Sequence, residues 1–135
     1  GEAAAAEVLA REALAICRGV TPYYSFAPTL LVGVSDVGME DEFAEVFGPH
    51  ADSDPWTGAA VTAWRGDLLG AADLLERHDG TVLEADLRVR AAARLHAAGD
   101  TAGAEEQRRR AVTFYRSVGA TERIREADAL LPATA

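Results

Sequence analysis

Several side chains in this sequence are of types that do chemistry. His50, Asp52 and Asp54 alternate along one short stretch. An imidazole and two carboxylates at that spacing could hold a divalent cation. Metal-binding loops usually bring more ligands and a glycine at the turn. The same stretch therefore also reads as a polar loop in which Asp54 caps a helix opening at Pro55. Cys17 is the only cysteine, and no histidine lies near it in sequence to act as a base, so it is expected in the core. Arg108, Arg109 and Arg110 form a cationic run that could grip phosphate, but Glu105 and Glu106 precede it and a solvated face is expected. The stretch from Gly33 to Gly38 lacks the Lys-Ser/Thr ending and the preceding strand of a phosphate loop. The three histidines are far apart, and no Ser/His/Asp or Cys/His set has supporting context. The expectation is a non-enzyme with no catalytic residue, no cofactor and no committed metal site. The alternative is a small metal- or ligand-binding helical domain using His50, Asp52 and Asp54.

The elements behind these residues are organised by an internal repeat. Gly66-Asp67-Leu68-Leu69-Gly70-Ala71 and Gly99-Asp100-Thr101-Ala102-Gly103-Ala104 both read Gly-Asp-x-x-Gly-Ala, offset by 33 residues. Repeats of that period mark helical solenoids. The first Gly follows a helical run in both copies and can close a helix in the left-handed conformation. The Asp is then the cap of the next helix, accepting from its orphan N–H groups. The second Gly and the Ala let two antiparallel helices approach closely. Gly33, another 33 residues earlier, is expected to mark a worn first copy.

The spacing resembles the tetratricopeptide repeat. In that family an Ala commonly stands five residues after the Gly, as Ala71 and Ala104 do, and a small residue seven before it, as Ala59 and Ala92 do. An Ala twelve after the Gly is met by Ala111 but not by His78, and the family's aromatic positions and repeat-ending Pro are largely missing. The resemblance spans Pro55 to Val118. It implies an all-α fold, an α-α superhelix of antiparallel helical hairpins, as one domain over residues 1–135. The clearest repeats are expected at about 55–80 and 82–118, with a terminal helix at 121–131. A second resemblance lies in Ala111-Val112-Thr113-Phe114-Tyr115-Arg116-Ser117-Val118-Gly119-Ala120-Thr121, followed by Ile124 to Leu131. It is similar to the tail of large actinobacterial-type regulators that join a nucleotide cyclase or DNA-binding domain to a signalling ATPase. That resemblance implies a sensor or scaffold region of a signalling or transcription regulator, without catalytic motifs of its own.

Charge and composition narrow the partners. The chain has 135 residues and a net charge of −9, which argues against nucleic-acid or anionic-membrane binding. Residues 1–54 carry 2 Arg against 10 acids, giving −8, so this half could face a basic partner. Every basic residue is Arg, with much Ala and no Asn, as in a high-GC bacterial genome. No apolar run is long enough for a membrane span, and one cysteine excludes an internal disulfide, so a cytoplasmic location is expected. The sequence starts Gly1-Glu2 and its only Met is Met39, which predicts a piece of a longer protein. A concave groove binding another domain of the parent chain or a peptide is expected, with a homodimer through the first helix as a further option.

In chain order, Glu2 to Arg18 reads as a helix, with Val8, Leu9, Ala13, Ile16 and Cys17 at helical spacing. Thr21-Pro22 is expected to open a second helix carrying Tyr23, Tyr24, Phe26, Leu30, Leu31 and Val34, kinked or delayed by Pro28. Met39 to Phe47 is a short helix. Trp56 and Trp64 are expected to be mostly buried in a hairpin of 55–65 and 68–78. Thr81 and Glu84 form a capping box, Asp100 to Val118 is a long helix ended by Gly119, Thr121 caps the last helix and Pro132 stops it.

Overall fold

A computed structural model describes residues 2–19, 26–79 and 81–130 of the chain, apart from the side chains of Thr81 and Leu130. Among the described residues the secondary structure is helical, without strands: α1 (Glu2–Arg18), α2 (Ala27–Ser35), α3 (Glu40–Phe47), a short 3-10 turn (Gly48–His50), α4 (Pro55–Trp64), α5 (Leu68–Glu76), α6 (Thr81–Ala97), α7 (Thr101–Ser117) and α8 (Thr121–Leu130). Among the described residues no helix is long and apolar enough to cross a membrane. The chain forms two compact units, Gly1–Asp67 and Leu68–Ala135.

Four helices end in the same way. Gly38, Gly66, Gly99 and Gly119 have φ of 72°, 94°, 87° and 70°. In each case the glycine N–H donates to the carbonyl three residues back, and the next N–H donates to the carbonyl five back. This double closure satisfies the last carbonyls and needs a left-handed residue, which glycine adopts without strain. Within the stretch Gly33 to Gly38, it is Gly38 that closes α2. Gly33 lies inside α2, which runs on to Ser35 so that Leu31 and Val34 share one buried face.

In the first unit α1 buries Ala10, Leu14 and Cys17 along one stripe. α1 packs on α2 and α3, and α4 packs on the same two helices. Phe43 and Phe47 stack one helical turn apart, with ring centroids 4.5 Å apart, and both are fully buried. Pro28 sits in the first turn of α2, so the proline delays the helix instead of kinking it. The expected Thr21-Pro22 start and the Tyr23–Tyr24 pair lie outside the described residues. Trp56 is half-buried, while Trp64 keeps 38% of its surface exposed, against expectation. Trp64 is the last residue of α4, where the chain is already turning away.

In the second unit each helix packs on the next, α5 on α6, α6 on α7 and α7 on α8. α6 is buried on two sides, through Ala85 and Ala92 on one and Leu87 and Ala91 on the other. Ala71 and Ala104 are both completely buried, as the small positions of the repeat require. Ala85, Ala111 and Tyr115 form a core cluster joined by Val89, Phe114, Ala120 and Ile124. Thr121 is the first residue of α8 and not its cap, because Ile124 N–H already donates to the Ala120 carbonyl. Thr81 opens α6, but its side chain and Pro132 lie outside the described residues.

Candidate functional site

His50 closes the 3-10 turn, and Asp54 stands at the start of α4. Asp54 has extended backbone and caps α4, its Oδ1 accepting from Thr57 N–H at 2.9 Å. Its Oδ2 accepts from Thr57 Oγ1 at 2.6 Å. Both oxygens of Asp54 are therefore engaged by the helix start, and Asp52 is exposed on the preceding turn. No group of three or more His, Cys, Asp or Glu side chains that could hold a metal occurs among the described residues. Cys17 is buried, and burial pushes its thiol above the ordinary value, away from the thiolate a nucleophile needs.

The three consecutive arginines are each held by carboxylates. Arg108 is paired with Glu105 at 2.6 Å and with Asp128 of α8. Arg109 pairs with Glu106, and Arg110 reaches Glu76 of α5 at 2.6 Å. The hydrogen bond from Arg108 holds the Glu105 carboxyl below its ordinary value. The run acts as a set of internal ties, which leaves little positive field for a phosphate.

The strongest polar cluster was not singled out by the sequence. Arg88 of α6 is only 1% exposed. Its Nε donates to Glu84 Oε1 at 2.6 Å, one turn back on α6. Its Nη1 donates to Gln107 Oε1 of α7 at 2.8 Å. Its Nη2 donates to Asp73 Oδ1 at 2.9 Å and Glu76 Oε2 at 3.2 Å, both on α5. A guanidinium presents five donors in a planar fork, and here the fork spans three helices. Burial alone would lower the pKa of Arg88, but its bonds to Glu84 and Asp73 outweigh burial and leave it raised. Every acceptor comes from the second unit itself. The cluster is a polar lock between α5, α6 and α7. Beside it, Tyr115 Oη donates to Asp86 Oδ1 at 2.6 Å, tying α7 to α6 a second time.

A different feature faces solvent. On α1 the residues opposite the buried Ala10, Leu14 and Cys17 are Val8, Leu9 and Ile16. They are exposed at 56%, 65% and 68%. Exposed Ala5 and Glu12 complete this outer face at helical spacing. Surface helices bury one apolar stripe, and α1 carries two. Exposed apolar stripes of this kind are, in general, where proteins make contacts.

Comparison with protein-family models, with curated proteins and with solved structures returned no match for this chain.

Proposed function

We propose that this chain is a non-catalytic protein-interaction module that serves as a regulatory scaffold. The outer face of α1 carries this reading. Three large apolar side chains point into solvent from a helix whose other face is already packed. The helix-on-helix succession of α5 to α8, with its repeated Gly-Asp turn, supports placing it among tetratricopeptide-like modules. The resemblance of the last third supports a parent protein of the multidomain bacterial signalling or transcription regulator type. The polar lock at Arg88 keeps the second unit rigid, as a scaffold needs.

The test is binding between the chain and the remainder of the polypeptide encoded in its own reading frame, measured by surface plasmon resonance. Binding is expected, and the double variant Leu9→Gln/Ile16→Gln should abolish it. Equal binding by that variant would remove the role assigned to α1.

A further inference from the structure

The geometry points to a basic amphipathic helix as the occupant of the outer face of α1. This inference rests on reading the chain as an interaction module and goes further by naming the partner's chemistry.

Glu12 carries the first step. It stands at the centre of the exposed stripe, one turn from Val8 on one side and one turn from Ile16 on the other. A carboxylate in the middle of an apolar contact is costly unless a cation answers it. The two Arg of residues 1–54 do not serve this purpose. Arg11 pairs with Glu7 at 2.6 Å on one flank of α1, and Arg18 reaches Glu45 of α3 at 3.5 Å. This half of the sequence carries −8. The matching surface is therefore apolar, with a cation at the point facing Glu12, and an overall positive partner suits the −8 of this half.

Symmetry argues against a second copy. A two-fold contact places the residue at its centre against its own counterpart. Here that residue is Glu12, so two carboxylates would meet between two acidic surfaces. A lipid surface is disfavoured on the same grounds, because amphipathic helices that lie on membranes rely on basic flanks. A helix with leucines at i, i+3, i+4 and i+7 and Lys or Arg beside them meets both requirements. α1 has 17 residues, so the partner's contact length is about five turns.

The experiment uses the full chain and a synthetic peptide of about 18 residues with Leu on one face and Lys on the rest, followed by fluorescence anisotropy. A peptide with the same Leu positions and Glu in place of Lys is the control. Four proteins are compared: the unaltered chain, Glu12→Lys, Leu9→Gln/Ile16→Gln and Asp52→Lys. Asp52 is exposed in the same unit, so its reversal changes net charge as Glu12→Lys does. Circular dichroism verifies that all four are folded. The expected result is a loss of about tenfold or more for Glu12→Lys and for Leu9→Gln/Ile16→Gln, with less than about a twofold change for Asp52→Lys. Binding should weaken as salt rises from about 50 to about 500 mM, and the Glu peptide should not bind.

Equal losses for Asp52→Lys and Glu12→Lys would overturn the proposal in favour of diffuse attraction to an acidic protein. Self-association by light scattering that Leu9→Gln/Ile16→Gln abolishes, or binding to neutral phosphatidylcholine vesicles, would overturn the basic-helix partner. In the self-association case the docking role of α1 would stand. If Leu9→Gln/Ile16→Gln alters neither peptide binding, nor self-association, nor binding to the parent polypeptide, the partner and the role of α1 both fall.

Discussion

Arg88 Nη1 of α6 and Gln107 Oε1 of α7 meet at 2.8 Å inside the second unit, and Gln107 is the chain's only glutamine. A neutral amide completes a shell whose other acceptors are Asp73, Glu76 and Glu84. A fourth carboxylate there would add negative charge at a buried site, whereas the amide supplies an acceptor without it.

Removing the cation should be the most damaging change in this cluster. Arg88→Ala leaves Glu84 with little solvent and only the distant Arg110, at 3.9 Å, as counterion, and a loss of up to about 3–5 kcal/mol is expected. Gln107→Ala strands one buried donor and should cost about 1–3 kcal/mol. Asp73→Ala removes a half-exposed partner and should cost less than about 1 kcal/mol. Urea denaturation of the three variants measures the order, and an Arg88→Ala midpoint close to that of Asp73→Ala would contradict it.

Asp100 and Gly103 should behave as a coupled pair. Asp100 Oδ1 accepts from Gly103 N–H at 2.9 Å, and a Cβ at position 103 would stand 2.3 Å from Asp100 Oδ2. Asp100→Ala loses the cap and should cost about 1 kcal/mol. Gly103→Ala gains about 1 kcal/mol of helix propensity but displaces the carboxylate, so its net effect should be near zero. With Asp100 already replaced, Gly103→Ala should stabilise by about 1 kcal/mol. A double-mutant cycle by thermal denaturation reads this coupling, and strict additivity would show that the carboxylate does not lie against the glycine.

Tyr115 should make stability fall at alkaline pH. Burial pushes its hydroxyl above the ordinary 10.0, and the hydrogen bond to Asp86 raises it further. The unfolded chain then releases this proton first. The contribution is whole below pH 10.0 and is lost as pH rises toward the folded value. Denaturation midpoints from about pH 9 to about pH 11.5 should drop more steeply for the unaltered protein than for Tyr115→Phe. Parallel curves would mean that the hydroxyl ionises freely in the folded state.

The helix-closing glycines were largely legible in the sequence, because a left-handed turn restricts residue choice. Gly66, Gly99 and Gly119 closed helices as expected. In the stretch Gly33 to Gly38 the second glycine closes the helix, because the buried face of α2 carries it past Gly33 to Ser35. The final Gly of the Gly-Asp-x-x-Gly motif has a second reason, seen at Asp100, where the capping carboxylate occupies the space of a side chain.

Arg88 was hidden because it reads as one arginine among several on a charged helix. Its burial depends on acceptors at 73, 76 and 107, which only the packing of three helices brings together. The local signal was there, in Glu84 one turn before it and in Ala85 and Ala92, buried on the same side of α6. The outer face of α1 was hidden differently. Val8, Leu9 and Ile16 share helical spacing with Ala13 and Cys17, but the buried stripe runs through Ala10, Leu14 and Cys17 and leaves those three turned to solvent.

The polar lock also constrains how this sequence can diverge. An arginine keeps its charge at every biological pH, so no protonation event relieves the loss of a partner. Drift at position 73 or 76 is tolerated in part, because those carboxylates reach water. Positions 84, 88 and 107 are bound more tightly. A lineage that loses Arg88 leaves Glu84 with only Arg110 at 3.9 Å and a gap beside 107, which favours compensating changes at both positions. Among descendants of this chain these three positions should therefore change as a set, with either the whole polar triad or a wholly apolar one at the junction of α6 and α7.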